Sequence, residues 1–263
     1  MAMASGHKFA NFFPSVSDSS VQQQSHDLPA YFNSRRALLV GPPRSGKTSL
    51  LFQFCYNCAR ESGSRSHVVF ICQKKRIENG PPLLSRGVDP SSEVFNRVHM
   101  RYLVDDKELR KYLACLHLLP NSQLPTALVI DNFSAFFDQS SSHVGGGVRS
   151  AHGRAQDMAI ARTLALLCDA VDFVRQNDQP ICKLLVSDTS GADGPRSLYL
   201  FQRWFPLIFH IKALEPGKFS LSVFRDSLGP GGFHVSARYS LLEHCLSLLS
   251  LEFVPSPPAV AEK

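Results

Sequence analysis

The sequence predicts an α/β fold with a mainly parallel sheet, flanking helices and a C-terminal β-hairpin. Short apolar runs suited to buried strands alternate with longer stretches of helical periodicity. A Gly-rich turn joins the first apolar run to a helical stretch, and a later run of four apolar residues ends at Asp131. Such alternation favours right-handed β-α-β units, whose strands end at one edge of the sheet.

The elements follow from local patterns in chain order. Apolar runs predict strands at 35–41, 67–73, 98–104, 126–133 and 181–191. Apolar faces of helical length predict helices at 48–62, 105–119 and 155–176. Two alternating segments, 206–214 and 218–226, are separated by the turn Glu-Pro-Gly and predict the β-hairpin.

Composition indicates one soluble domain with tails. The chain has 263 residues, 44% of them hydrophobic, which suits a single α/β domain. A net charge of +6 permits contact with nucleic acid without requiring it. Seven cysteines, an odd number, indicate a reduced compartment, and Cys55 and Cys58 fall inside a helical stretch, which favours core packing over a redox or metal role. We expect no signal peptide and no membrane contact, because the longest apolar runs are too short.

The chain divides into a core and three flanking segments. Residues 1–34, rich in Ser, Gln and Asn, are predicted to be a disordered tail. Within them, HKFANFF at 7–13 docks on a partner, covers the sheet or stays loose. The core spans 35–226. Residues 227–254 are predicted to be a C-terminal extension containing a packed helix, and 255–263 a tail.

The turn after the first strand predicts a nucleotide-binding site. The sequence GPPRSGKT, from Gly41 to Thr48, fits the P-loop pattern G-x-x-x-x-G-K-[ST] between a strand and a helix. Its backbone N–H groups would converge on a phosphate at the helix N-terminus. Lys47 would reach the β- and γ-phosphates, and the Thr48 hydroxyl suits Mg²⁺. The predicted nucleotide-binding residues are Gly41, Pro42, Pro43, Arg44, Ser45, Gly46, Lys47, Thr48 and Ser49.

Asp131 is the second predicted magnesium residue. It follows Ala127 to Ile130, which is the pattern of a Walker B strand. Such a strand delivers a carboxylate to the sheet edge, where it can hold Mg²⁺ through water.

The order of these elements resembles that of the RecA-like recombinase family. The segment 131–171, DNFSAFFDQSSSHVGGGVRSAHGRAQDMAIARTLALLCDAV, resembles a recombinase Walker B followed by the first DNA-binding loop and its helix. The segment 198–226, LYLFQRWFPLIFHIKALEPGKFSLSVFRD, resembles the closing strands. The short core, the compressed second loop and LFQRWFP are most similar to the SWIM-type zinc-finger-associated ATPases, which are diverged recombinase paralogues. The resemblance covers about 36–226.

This resemblance implies a function. It implies a RecA-like P-loop NTPase core that uses ATP and Mg²⁺, binds single-stranded DNA and supports homologous recombination and DNA repair. It also implies a nuclear location and a complex with a SWIM-type zinc-finger protein and other recombinase paralogues.

Two departures from the family pattern concern hydrolysis. The family carries a catalytic Glu after the second strand, where this chain has Gln73 or Lys74. Gln73 can orient water, but it cannot take a proton as a carboxylate does. Ser187 and Asp188 stand where the family carries a polar sensor. With Lys47 and Gln73 as the catalytic candidates, we expect a weak ATPase, stimulated by DNA or a partner.

Basic residues predict a DNA surface. Arg149, His152 and Arg154 lie in a Gly-rich loop, Arg162 lies two turns further along, and Arg196 is the one cation of the shortened second loop. The predicted DNA-binding residues are therefore Arg149, Arg154, Arg162 and Arg196. The alternative is a solvated loop or one that contacts ATP at a subunit interface.

Other basic and aromatic residues leave alternatives open. Lys74, Lys75 and Arg76 suit a nuclear-import signal, a phosphate contact or a solvated turn. Arg203 and Trp204 suit a partner surface or, better for Trp204, core packing. Two other functions compete with the recombinase paralogue: a nucleotide-loaded scaffold that does not hydrolyse ATP, and a small-molecule kinase.

Overall fold

A computed structural model shows an α/β fold built on one nine-stranded sheet. It describes residues 12–13, 36–63, 66–141, 149–177, 182–189, 198–223, 233–242 and 244–255. The strands are β1 Arg36–Gly41, β2 Val68–Cys72, β3 Val98–Tyr102, β4 Ala127–Ile130, β5 Lys183–Thr189, β6 Leu207–Glu215, β7 Lys218–Val223, β8 Phe233–Leu242 and β9 Cys245–Pro255. Their order is β3-β2-β4-β5-β1-β6-β7-β8-β9.

The pairing of neighbouring strands changes once across this sheet, from parallel to antiparallel. From β3 to β6 every neighbouring pair is parallel, whereas β6 to β9 pair in antiparallel fashion. The predicted mainly parallel sheet and the β6–β7 hairpin are both confirmed. The parallel strands β1, β4 and β5 are adjacent, so their carboxyl ends meet at one edge.

Helices cover both faces of the sheet. They are α1 Lys47–Glu61, α2 Lys74–Asn79, α3 Asp106–Ala114, α4 Arg149–Gln176 and α5 Leu198–Gln202, with 3₁₀ segments at Glu93–Arg97, Leu116–Leu118, Asn121–Gln123 and Phe133–Ser141. Because side chains alternate along a strand, Leu39 packs with α1 on one face while Leu38 and Val40 pack with α3 and α4 on the other. Neither α2 nor the first turns of α4 were predicted, because both lie in polar sequence that we assigned to loops.

The N-terminal segment contributes two core residues. Phe12 and Phe13 are buried on the α1 face, and the Phe12 ring meets Phe209 edge-on with centroids 5.1 Å apart. The Asn57 side-chain amide donates a hydrogen bond to the Phe13 carbonyl over 3.0 Å. At these two residues the predicted disorder is wrong and the covering of the sheet is observed. The rest of 1–34 lies outside the described residues.

The predicted C-terminal helix is wrong. The segment from Phe233 to Pro255 forms the β8–β9 hairpin, which extends the sheet beyond β7. A register shift opposite Arg238 and Tyr239 makes Leu249 an extra residue in β9. The residues of β9 that face the core are therefore Leu246, Leu248 and Leu251. Their spacing is not the strict alternation of a regular strand, and in the sequence it resembles the apolar face of a helix. Residues 256–263 lie outside the described part of the chain.

Within the described residues, no helix combines the length and the apolar character needed to cross a membrane. In the same residues no group of three or more metal-ligating side chains comes together. Cys55 and Cys58 are buried in α1, and burial raises the pKa of the Cys58 thiol to about 12. A thiol that stays protonated is a poor nucleophile and a poor metal ligand, which agrees with the predicted core role.

Candidate nucleotide-binding site

The P-loop lies at the carboxyl end of β1, between β5 and β6. The strand ends at Gly41 and α1 begins at Lys47, as the sequence predicts. Arg44 and Gly46 both have left-handed backbone conformations, with φ of 58° and 77°. Residues in this conformation turn successive N–H groups toward one concave face, which is an anion-binding arrangement. The helix N-terminus adds its positive dipole end at the same place.

Lys47 lies buried under this loop. Its ammonium donates hydrogen bonds to the carbonyl oxygens of Gly41 over 2.9 Å and Pro42 over 2.7 Å. Burial, followed by the nearby Arg76 charge, lowers the Lys47 pKa to about 8, although Asp131 and Asp188 oppose this effect. An anionic phosphate beside Lys47 would favour the charged form of the lysine and raise its pKa again. Lys47 is therefore suited to bind a phosphate.

Two residues of β8 in the C-terminal hairpin contact the P-loop. The buried Tyr239 hydroxyl on β8 donates a hydrogen bond of 2.7 Å to the Ser45 carbonyl. The Ser45 hydroxyl in turn donates to the Pro42 carbonyl over 2.8 Å. Leu241 lies so close to Gly46 that an added Cβ would stand 2.6 Å from its Cδ1. Sequence reasoning missed Tyr239 and Leu241 because it assigned their segment to a helix.

Thr48 and Asp131, the two predicted magnesium residues, are in contact. The Thr48 hydroxyl donates a hydrogen bond of 2.9 Å to Oδ2 of Asp131, which follows β4 directly. Oδ1 of the same carboxylate accepts a 2.9 Å hydrogen bond from the Ser187 hydroxyl on β5. A hydroxyl and a carboxylate are the oxygen ligands that Mg²⁺ prefers, so Thr48 and Asp131 would hold the ion between them.

Arg76 is a site residue that the sequence did not identify. Its Nε lies 3.0 Å from Oδ2 of Asp131, the oxygen that also accepts from Thr48. The signal in the sequence was weak, since Arg76 belongs to a short basic run that suits a solvated turn equally well. The contact forms because β2 and β4 are parallel neighbours, which brings the residues after both strands to one edge.

Hydrogen bonds join the residues that follow β4 to the carboxyl end of β5 at the edge of the site. The Ser187 hydroxyl accepts from the Asn132 backbone N–H over 2.8 Å, and the Thr189 hydroxyl donates to the Asn132 side-chain oxygen over 2.7 Å. Asp188 accepts from both the backbone N–H and the hydroxyl of Ser134, at 3.1 and 2.9 Å. Burial raises the Asp188 pKa, while the bonds from Ser134 lower it. Ser187 therefore orients Asp131, and Asp188 positions the segment after β4.

Gln73 lies where the sequence placed it, directly after β2. Its side-chain amide donates to the carbonyl oxygens of Val104 and Ala135, over 3.0 and 3.2 Å. Both hydrogens of the Gln73 amide are thus used in these bonds, and the side-chain carbonyl oxygen is left to accept a hydrogen bond from a water molecule. A carbonyl oxygen orients water but does not remove a proton from it.

One cleft joins most of these residues. The P-loop, the α2 segment, the start of the Phe133–Ser141 segment and the end of β5 line it. Among its lining residues are Arg44, Lys47, Thr48, Gln73, Arg76, Asp188 and Leu241. Lys74 does not line it and pairs with Glu78 over 3.7 Å.

Two of the predicted DNA-binding residues, Arg154 and Arg162, are not among the residues that line this cleft. Arg154 and Arg162 are exposed on α4. Arg149 begins α4, but its side chain lies outside the described residues, as does all of Arg196. An exposed aromatic that the sequence did not single out, Tyr199, donates a 2.6 Å hydrogen bond to the Asp157 carboxylate on α4.

Trp204 and Arg203 follow α5. Trp204 packs against the core on the α4 face, as predicted, and the Arg203 guanidinium carbon lies 5.9 Å from the centroid of its ring.

Comparison with known proteins gives one distant relative. No protein-family model matches the chain. The human protein named ATPase SWSAP1 is 25% identical over 201 residues, which cover 74% of this chain and 79% of that protein. The likeness to a protein named an ATPase supports an ATPase function and nucleotide binding.

Proposed function

We propose that the chain is an ATP-binding, slowly hydrolysing RecA-like recombinase paralogue. It binds single-stranded DNA and supports homologous recombination and DNA repair in the nucleus, in a complex with a SWIM-type zinc-finger protein and other recombinase paralogues. The observation that carries the proposal is the meeting of Lys47, Thr48 and Asp131 at one sheet edge. These three groups supply a phosphate-binding cation and two magnesium ligands.

The order of elements supports the RecA-like part of the proposal. After Asp131 the chain forms a 3₁₀ segment, continues through 142–148 and enters the 28-residue α4 before β5. A long insertion and helix at this point are what the resemblance to recombinases requires. The likeness to the human ATPase SWSAP1 is consistent with it.

The state of Gln73 supports slow hydrolysis. Because Gln73 has no carboxylate, the residue directly after β2 cannot take a proton from the attacking water. The same observation favours a second candidate, a nucleotide-loaded scaffold that holds partners and does not turn ATP over. In that case ATP bound in the cleft would stabilise the complex with partner proteins and would not be hydrolysed.

Exposed residues on and beside α4 support the DNA-binding part. Arg154 and Arg162 offer two cations to a phosphate backbone, and Tyr199 offers a ring on which a base can stack. Asp157 accepts a hydrogen bond from the Tyr199 hydroxyl and thereby ties this residue to α4, the helix that carries both arginines.

Steady-state ATP hydrolysis tests the nucleotide part. The purified chain is assayed alone and with single-stranded DNA, beside Lys47→Ala and the control Lys74→Ala, which removes an exposed cation outside the cleft. We expect slow turnover that DNA raises, that Lys47→Ala loses and that Lys74→Ala retains. Tight ATP binding without turnover would replace this function with the scaffold, and ATP affinity unchanged in Lys47→Ala would refute the site itself.

The salt dependence of DNA binding tests the α4 surface. Changing Arg154 and Arg162 to Ala should weaken binding at every salt concentration and reduce the slope of log affinity against log salt by about one to two. A matched pair, Arg60→Ala with Lys212→Ala, removes two exposed cations elsewhere and should leave the slope near that of the wild type. Equal slopes in all three proteins would exclude α4 from the DNA surface.

A further inference from the structure

Arg76 holds a position that a magnesium ion would also require. Its Nε lies 3.0 Å from Oδ2 of Asp131, and that carboxylate side chain has no exposed surface. With Thr48 on the same oxygen and Ser187 on the other, three donors occupy the carboxylate. Only Arg76 among these donors carries a charge, so it is the partner that compensates the buried anion.

A guanidinium competes with Mg²⁺, or with a water molecule bound to that ion, for Oδ2 of Asp131. Two positive charges within a few ångströms repel each other strongly in a partly buried site. Mg²⁺ would also bind a lone pair of the Thr48 hydroxyl oxygen, which lies 2.9 Å from Oδ2 of Asp131, so the ion would lie close to the guanidinium on that oxygen. The arrival of the ion therefore requires Arg76 to withdraw.

The helix that carries Arg76 is suited to such a movement. None of the residues of α2 is fully buried, and the helix is only six residues long. The residues that precede and follow this helix are anchored by hydrogen bonds. Before it, the Gln73 side-chain amide donates to the carbonyls of Val104 and Ala135, and after it, the Leu83 N–H donates to the Ser49 hydroxyl over 2.9 Å. Arg76 lines the phosphate cleft, so a guanidinium that leaves Asp131 remains within reach of an anionic ligand.

We propose that Arg76 is a built-in cation that competes with Mg²⁺ for Asp131, which makes α2 sensitive to the metal on the nucleotide. The inference rests on the proposed nucleotide binding and adds a regulatory residue to that site. In the wild type, nucleotide affinity then gains little from Mg²⁺ at low concentration, because the ion must first displace the guanidinium.

Binding of a fluorescent ADP as Mg²⁺ is varied tests this competition without a catalytic readout. Arg76→Gln should lower the Mg²⁺ concentration that gives half of the gain in affinity by about tenfold, the size of one charge-assisted hydrogen bond. The control Lys74→Gln removes a cation from the same helix outside the cleft and should keep the wild-type midpoint. Arg76→Lys restores a cation and should move the midpoint back toward that of the wild type.

Thermal unfolding of the same variants gives a second readout. In chelator, Arg76→Gln removes the charged member of the three donors that bind the buried Asp131 carboxylate and should melt below the wild type. Mg²⁺ should raise the melting temperature of Arg76→Gln more than it raises that of the wild type, so the difference between the two proteins should shrink. Equal Mg²⁺ midpoints in wild type and Arg76→Gln, with nucleotide still bound, would overturn the competition alone. A wild type that binds no nucleotide at any Mg²⁺ concentration would overturn the proposed function together with it.

Discussion

The Thr48 hydroxyl donates a 2.9 Å hydrogen bond to the Asp131 carboxylate, although 83 positions of sequence separate the two residues. One residue belongs to the first turn of α1 and the other follows β4, two strands away from β1 in the sheet. Their contact ties the P-loop helix to the middle of the parallel sheet. Stability and ligand binding should therefore depend on the same carboxylate.

Asp131→Asn should destabilise the fold by about 1–3 kcal/mol, because an amide replaces one acceptor oxygen with a donor. One of the three donors Thr48, Arg76 and Ser187 then loses its acceptor, and Arg76 also loses the opposite charge. Chemical denaturation measures the change in the free energy of unfolding. Asp138→Asn, an exposed carboxylate at the rim of the same cleft, should change it by less than about 0.5 kcal/mol.

Lys47→Met should make the free energy of unfolding less dependent on pH. In the folded protein the Lys47 pKa is about 8, against an ordinary value of 10.5, so the unfolded chain binds more protons between these values. Wild-type stability should consequently rise from pH 8 to 10.5 relative to Lys47→Met. The full difference is on the order of 3 kcal/mol. Parallel pH profiles of wild type and variant in denaturant titrations would contradict this role of burial.

Nucleotide binding should take up protons near pH 8. Lys47 is about half charged at its pKa, and phosphate favours the charged form, so binding at pH 8 should take up to about half a proton. At pH 7 the uptake should fall to about a tenth. Calorimetry in two buffers of different ionisation enthalpy measures this number. Uptake of zero at pH 8 would show that Lys47 does not change its charge on binding.

Gly46→Ala should impair both folding and nucleotide binding. The residue has a φ of 77°, which costs a non-glycine residue about 1 kcal/mol or more, and the new methyl group would meet Leu241. Adding Leu241→Ala removes the collision but not the backbone strain. The double variant should thus recover part of the lost stability, as a double-mutant cycle would measure. Full recovery would place the whole cost in the contact with Leu241.

Phe12→Ala should cost about 3–5 kcal/mol of stability, the usual range for a buried aromatic side chain. The ring packs against Phe54 and Phe209 and thereby joins the N-terminal segment to α1 and β6. Leu118→Ala, where the side chain is 70% exposed, is the control and should have little effect. Equal melting temperatures for Phe12→Ala and the wild type would show that this segment does not stabilise the core.

The features that the sequence predicted correctly are encoded locally. The turn from Gly41 to Lys47 carries its own backbone requirements, and the run before Asp131 reads as a buried strand without reference to other elements. The alternation of such runs with helical stretches was enough to predict the mainly parallel sheet.

The features that the sequence missed depend on distant partners. Arg76 meets Asp131 across 55 positions and Tyr239 meets Ser45 across 194, and no local pattern reports either contact. The extra residue at Leu249 shifts the alternation of β9, which made a strand resemble a helix. Phe12 and Phe13 stand in a tail rich in polar residues, where the sequence left open whether their aromatic segment covers the sheet. Their packing against α1, β6 and β8 answers that question.

The hydrogen bond from Tyr239 to Ser45 has a consequence during synthesis of the chain. A ribosome adds about 5–20 residues per second, so the 194 positions between these residues take about 10 to 40 seconds to translate. Throughout that interval the complete GPPRSGKT sequence has been made while the strand that braces it has not. The nascent protein therefore acquires a braced P-loop only after β8 has been translated, and a chain that terminates before β8 would carry the entire P-loop sequence without its brace.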